Sequence, residues 1–416
     1  MVGGGLFAAQ ILGFIRQIII GYLLGTGSEA DALSAAMAPI ETWWTIFAVA
    51  LIFGFAPFFS EERADGGYRV QGVLWPVVQL SAVATVLSIL LAKPILLAFA
   101  PGLDKQAILL GVRLLQILSA SIIPISACFV YAAFLYSRRR FLIASLPHAT
   151  VNLTTIIGAL ALFDRWGADG FAIGYIVGAW LQLIVNHLYV RPLMAQQKGK
   201  VAKLSIREVV SAPGAILVQS TANELNIAVS RAYASTFGLG MTAAFEFGFK
   251  LLRVPAALLV IPLSQALLPE LVGDSSGNGH TRDGLRATRK ATWLAAGLSA
   301  AGFAVMILIR QPLVSLLFER GEFGEASTAA VALILLSYAP AMLGRVIADF
   351  LSRLLFAMSK VRVPAVASVV AVAVNLIICL LIPSTLPELI GLGAFVGFAV
   401  AAVTLIRYVG VLQRDA

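Results

Sequence analysis

Charge is scarce in this sequence: Asp, Glu, Lys and Arg make up 12% of its 416 residues. A soluble domain carries about a quarter, so a soluble globule of this length is excluded. Cysteine is scarcer still, with two residues, Cys128 and Cys379, both inside apolar runs. That excludes a disulfide framework and a cysteine-ligated metal. The three histidines, His148, His187 and His280, are scattered, and neither HExxH nor a glycine-rich phosphate loop ending in Lys and Ser or Thr occurs. A zinc hydrolase and an ATP-driven pump are thereby set aside, and no cofactor is expected. Coupling would have to come from an ion gradient, the membrane potential or a substrate gradient, and the residues do not specify the ion.

What is abundant is apolar side chain: 60% of the residues, with a mean hydropathy of +0.92. Runs of about 20 apolar residues, enough to cross a hydrocarbon core of roughly 30 Å, recur from end to end with short polar breaks. Their spacing predicts twelve helices over roughly 5–24, 32–60, 71–100, 106–136, 141–163, 169–190, 208–236, 241–271, 291–318, 326–358, 362–383 and 388–411. The first run begins near Gly5 and has no small-residue cleavage site, so it reads as a retained span. Pro39, Pro124, Pro255 and Pro340 fall inside helices and mark expected kinks.

The net charge of +9 is explained by where the cations lie. Of the 30 basic residues, 17 fall in the loops after even-numbered helices and in the tail, and 3 (Lys105, Arg165, Arg320) in the loops after odd-numbered ones. The positive-inside rule then places both termini and the even loops in the cytoplasm. A nucleic-acid partner becomes unnecessary, because topology and anionic inner-leaflet lipid account for the excess.

The two halves resemble each other. KPILLAFAPGLDK from Lys93 parallels QPLVSLLFERGEF from Gln311. Arg16 followed by Gly25 is echoed by Arg231 followed by Gly240, Pro124 pairs with Pro340, and Asn152 pairs with Asn375. Six helices per repeat give both repeats the same orientation. The expected fold is all-α and polytopic: about twelve transmembrane helices in two parallel six-helix lobes around a central cavity. The N-lobe covers 1–190, a basic cytoplasmic linker 191–207, and the C-lobe 208–416.

The remaining ten basic residues sit within helices. A charge at mid-membrane costs at least about 2.5–3.5 kcal/mol, so such residues need partners, water or an escape to the interface. Lys93, Arg310 and Arg407 lie near helix ends and can snorkel. Arg16, Lys250, Arg253 and Arg345 lie deeper, with Arg231 intermediate, and these are the candidate substrate-binding cations. Acids accompany some of them at helical spacing: Glu246 with Lys250, and Arg345 with Asp349. Two readings follow, intramembrane salt bridges or a hydrated cavity whose surplus positive charge grips a phosphate or diphosphate. Asp31, Glu41, Glu246 and Asp349 are the candidate coupling or gating acids.

The runs LGFIRQIIIGYLLGTGSEADAL from Leu12, AVSRAYASTFGLGMTAAFEFGFKLLRVP from Ala228, LLPEL from Leu267, LLFERGEF from Leu316 and SRLLFAMSKVRVPAVASVVAVAVNL from Ser352 resemble the bacterial MurJ/MviN lipid II flippase family. The resemblance implies a multidrug/oligosaccharidyl-lipid/polysaccharide exporter fold in the bacterial inner membrane. It also implies an undecaprenyl-diphosphate-linked peptidoglycan precursor, carried to the outer leaflet by a transporter and not by an enzyme. Arg16 matches the second arginine of the family's first helix, Asp31 its following aspartate, and Lys250 its helix-eight arginine. Gln10 stands in place of the first arginine, and Trp43 and Trp44 in place of an arginine pair in helix two. The family usually continues through two further helices that these 416 residues do not include. The implied partners are membrane lipids and a lipid-linked anionic glycan; oligomeric state is not specified.

Four alternatives stay open at this point. Another polyprenyl-diphosphate glycan would suit the same cations. An ion-coupled drug antiporter of the same superfamily would want an acid-dominated cavity. A membrane glycosyltransferase would want long external loops, and a non-transporting scaffold would need no duplication.

Overall fold

The computed structural model describes residues 3–55, 59, 69–138, 140, 144, 148–196, 205, 207–208, 214–255, 282–358, 360–383 and 385–415. Among them the ordered elements are all helical. The chain forms two compact units, Met1–Ser220 with Arg320–Phe323, and Thr221–Glu319 with Gly324–Ala416.

The first unit contains α1 (Gly3–Leu24), α2 (Ser28–Phe55), α3 (Val70–Leu90), α4 (Ala92–Phe99), α5 (Lys105–Ser119), α6 (Ile122–Ser137), α7 (His148–Trp166) and α8 (Asp169–Ala195). Next come α9 (Gly214–Ser235), which crosses the unit boundary, and α10 (241–255). The second unit continues with α11 (Arg282–Leu308), α12 (Arg310–Phe318), α13 (Glu325–Ala357), α14 (Arg362–Leu381), a 3₁₀ turn at Pro387–Leu389 and α15 (Leu392–Asp415). Six helices among the described residues are long and apolar enough to cross a membrane, and α5 with α6 makes a seventh span bent by 43°. Most of the basic linker expected over 191–207 lies outside the described residues, as does the stretch from 256 to 281. The linker's first residue, Arg191, belongs to α8, which runs on to Ala195.

Three expected helices are each broken in two, and for the same reason. The third and ninth spans stop at Leu91 and Ile309, whose backbones share φ −101° with ψ 20° and 16°. Pro94 and Pro312 each stand three residues later. A proline there offers no N–H to the carbonyl four residues back and crowds it, which ends the incoming helix. Pro124 does the same to Ala120, where α5 and α6 meet at the bend. α13, by contrast, continues through Pro340. α5 starts where Asp104 accepts the Ala107 amide at 2.7 Å, a bond that holds the Asp104 carboxyl below its usual range.

The last two helices of each repeat form a hairpin sealed by glycine. In the first unit α7 packs on α8, and a Cβ on Gly174 would lie 2.5 Å from the Thr154 carbonyl. In the second, α14 packs on α15, and a Cβ on Gly397 would collide with the Ala371 carbonyl. Gly170 and Gly174 recur as Gly393 and Gly397 at the offset that separates Asn152 from Asn375. Gly174→Val and Gly397→Val should each destabilise the purified protein by about 1–3 kcal/mol, because backbone faces backbone and neither can yield. Gly297→Ala, with open space at its Cβ, should be neutral or slightly stabilising. Thermal melting in detergent separates the two outcomes, and equal melting points for all three variants would refute this packing.

Candidate polar sites in the two units

In the first unit, α1 carries Arg16 and α2 brings Glu41 to it, with Nη2 and Oε1 3.4 Å apart. The Arg16 side chain is 10% exposed and that of Glu41 30%. Arg16 Nε is buried and has no hydrogen-bond partner. Buried Tyr175 of α8 lies close enough to feel both charges. The surroundings are polar: Gln17 is buried beside Arg16, and Gly13, one turn earlier, faces the Asn152 amide of α7. This guanidinium is therefore desolvated and short of acceptors, the state in which an anion's oxygens bind most strongly.

The two helix-two positions where the resemblance would put arginines are aromatic. Trp43 stacks on Phe47 with ring centres 4.0 Å apart and donates Nε1 to Ser126 Oγ at 3.1 Å, while Trp44 meets the Phe129 ring edge-on. Asp31 is buried in the first turn of α2, where the helix dipole favours an acid. It lies ten residues, about 15 Å, along α2 from Glu41 and so outside the Arg16 group.

In the second unit, Arg231 of α9 is locked against Glu246 of α10, with side chains 5% and 4% exposed. Lys250 Nζ reaches the other oxygen of Glu246 at 3.7 Å. Arg231 is thus held in a closed ion pair, which makes it a structural cation and argues against the substrate role considered for it. Arg345 Nε pairs with Asp349 at 3.5 Å, as the four-residue spacing predicts. Arg253 is exposed and lies over the Phe249 ring at 5.9 Å. Arg16, Lys250 and Arg345 each have a carboxylate within 4 Å, but Lys250 shares Glu246 with Arg231, so these four cations have three acids between them. The repeat-related arginines, Arg16 and Arg231, both receive a glutamate from the next helix, but the first pair is loose and the second closed.

Sequence reasoning missed a buried polar knot in the second unit. Asn375 Nδ2 donates to Asn226 Oδ1 at 3.0 Å and to Ser230 Oγ at 3.1 Å, Tyr338 donates to Ser230, and Cys379 donates to Asn375. Its signal was present in the Asn152/Asn375 match, which the repeat places on corresponding helices.

A solved multidrug-resistance MATE transporter of the MOP superfamily superposes with a TM-score of 0.74 at 15% identity, covering 98% of this chain and 96% of that one. Two helical units with charged groups inside their spans thus share the fold of that transporter. A solved lipid II flippase MurJ in an inward closed conformation superposes with a TM-score of 0.84 at 19% identity, covering 98% of this chain and 87% of that one. The MurJ protein of Rhizobium meliloti (strain 1021) is 27% identical over 406 residues, or 92% of this chain and 74% of its own. The family profile described as lipid II flippase MurJ matches residues 20–416, and the chain belongs to that family.

Proposed function

We propose that this chain moves a lipid-linked, diphosphate-bearing peptidoglycan precursor of the lipid II type from the inner to the outer leaflet of the bacterial inner membrane. It does so by alternating access, as a transporter and not as an enzyme. Family membership supports the reading. The observation that carries the chemistry is Arg16, a buried guanidinium with one carboxylate at 3.4 Å and an Nε without a partner. A diphosphate oxygen would complete it. Lys250 and Arg345, whose side chains are 24% and 16% exposed, are the further cations able to reach a substrate. Of the four acids, Glu41 and Asp349 keep the most exposed side chains, so protonation or cation exchange would reach them first.

Reconstituted into liposomes with fluorescent polyprenyl-diphosphate sugars, the protein should expose inner-leaflet label to an external quencher. Protected label would overturn the reading, and varying the sugar and peptide would identify the head group.

Orientation follows from the cation count, with both termini cytoplasmic. In a background with Cys128 and Cys379 replaced by alanine, cysteines placed at Gly199 and Gly324 should react with impermeant reagents from opposite sides. Labelling of both from one side would defeat the twelve-span topology.

A further inference from the structure

A cavity of about 570 Å³ lies wholly within the first unit, where the α7–α8 turn meets α5 and the start of α2. None of the residues discussed above for the precursor line it. Gly167, at φ +52°, makes the sharp reversal that puts Arg165 and Asp169 on one rim. A Cβ at Gly167 would stand 3.6 Å from Glu29 Oε2, so the Glu29 carboxylate closes the same rim from α2. Arg113 of α5 completes the charged set.

Two guanidiniums and two carboxylates sum to zero, so a simple anion would meet as much repulsion as attraction. The charges are also unevenly engaged. Arg113 is paired with Asp169 Oδ2, while Asp169 Oδ1 is buried with no hydrogen-bond partner in a residue only 5% exposed. Among the described residues, neither Arg165 nor Glu29 forms an ion pair. The Arg165 guanidinium, the Glu29 carboxylate and Asp169 Oδ1 are therefore left for a ligand bearing both signs. The depth of the site narrows its source. Asp169 begins an apolar span, and Trp166, three residues before it, is 54% exposed. An exposed tryptophan at the end of a span marks the headgroup level of a bilayer. Leu110, Ile117 and Ile173 supply an apolar wall beside the charged residues.

We propose that this cavity binds the phosphoethanolamine headgroup of a membrane lipid. Arg165 takes the phosphate, Glu29 and Asp169 Oδ1 take the ammonium, and the apolar wall takes the glycerol end of the acyl chains. Phosphatidylcholine carries the same charges but has no N–H to donate, and phosphatidylglycerol lacks the cation, so both should bind more weakly.

The test uses the full chain, delipidated in detergent and titrated with these three lipids of matched acyl chains, with bound lipid counted by native mass spectrometry. One phosphatidylethanolamine should be retained in preference to the others. Arg165→Gln and Glu29→Gln should each weaken it roughly tenfold, the scale of one charge-assisted hydrogen bond; the first should weaken phosphatidylcholine, which shares the phosphate, in proportion, whereas the second should affect phosphatidylcholine less. Both side chains are exposed, so neither substitution threatens folding, whereas Asp169→Asn would also disturb Arg113. Equal retention of the three lipids, or unchanged phosphatidylethanolamine binding in both variants, overturns the proposal. Free glycerophosphoethanolamine should fail to displace the lipid at equal concentration; if it succeeds, the site serves a soluble zwitterion and the lipid assignment falls.

Discussion

Arg16→Ala should lower flipping of a polyprenyl-diphosphate substrate in proteoliposomes by roughly 100-fold or more. The scale is that of two lost charge-assisted hydrogen bonds at about 1.5–3 kcal/mol each. Stability should change little, because the carboxylate it abandons, Glu41, is partly exposed and water can replace the guanidinium. Arg16→Lys keeps the charge and a bond to Glu41 but not the planar fork, so part of the activity should survive. Glu41→Gln distinguishes two reasons for a loss. If Arg16 acts only as the partner of Glu41, E41Q should be as inactive as R16A. If Arg16 holds the diphosphate, E41Q keeps the guanidinium free to bind and should retain substrate affinity. Flipping at the parent rate in well-folded R16A protein would remove Arg16 from the substrate site.

Features written in local spacing were legible in the sequence, and features that join distant helices were not. The twelve apolar runs anticipate the helices within a few residues over most of the described chain. The near-constant offset between the halves anticipates the matched breaks at Leu91 and Ile309, although the proline count overlooked Pro94 and Pro312. Each of them removes one helical bond just where a run of apolar residues appears continuous. Glu246 with Lys250 and Arg345 with Asp349 were readable because four residues place two side chains on one helix face. Arg16 with Glu41 and Arg231 with Glu246 were not, since which residues of two neighbouring helices meet depends on their crossing and rotation. The sequence thus left Arg16 and Arg231 without their acids. The cavity beside Gly167 was hidden for the same reason: its charged residues come from α2, α5 and the α7–α8 turn.

The largest stability effect should come from the Arg231–Glu246 pair. Both side chains are almost fully enclosed, so removing either leaves a charge that neither water nor another group can compensate fully. Arg231→Ala and Glu246→Ala should each destabilise the protein by about 3–5 kcal/mol. Glu246→Ala also strips Lys250 of a carboxylate, but that ammonium is less deeply enclosed and should contribute less. Arg231→Met combined with Glu246→Leu takes both charges out of the apolar interior at once, and most of the lost stability should return. The same double variant asks whether Arg231 also touches substrate. A purely structural pair predicts flipping within a few-fold of the parent once the fold is restored. A stable double variant that cannot flip would return Arg231 to the substrate site. A double variant as unstable as either single would mean that packing around the pair, and not its enclosed charge, sets the stability. The contrast with Arg16 then becomes quantitative: in the closed pair the arginine is replaceable together with its partner, whereas in the open pair Arg16 is needed whatever happens to Glu41.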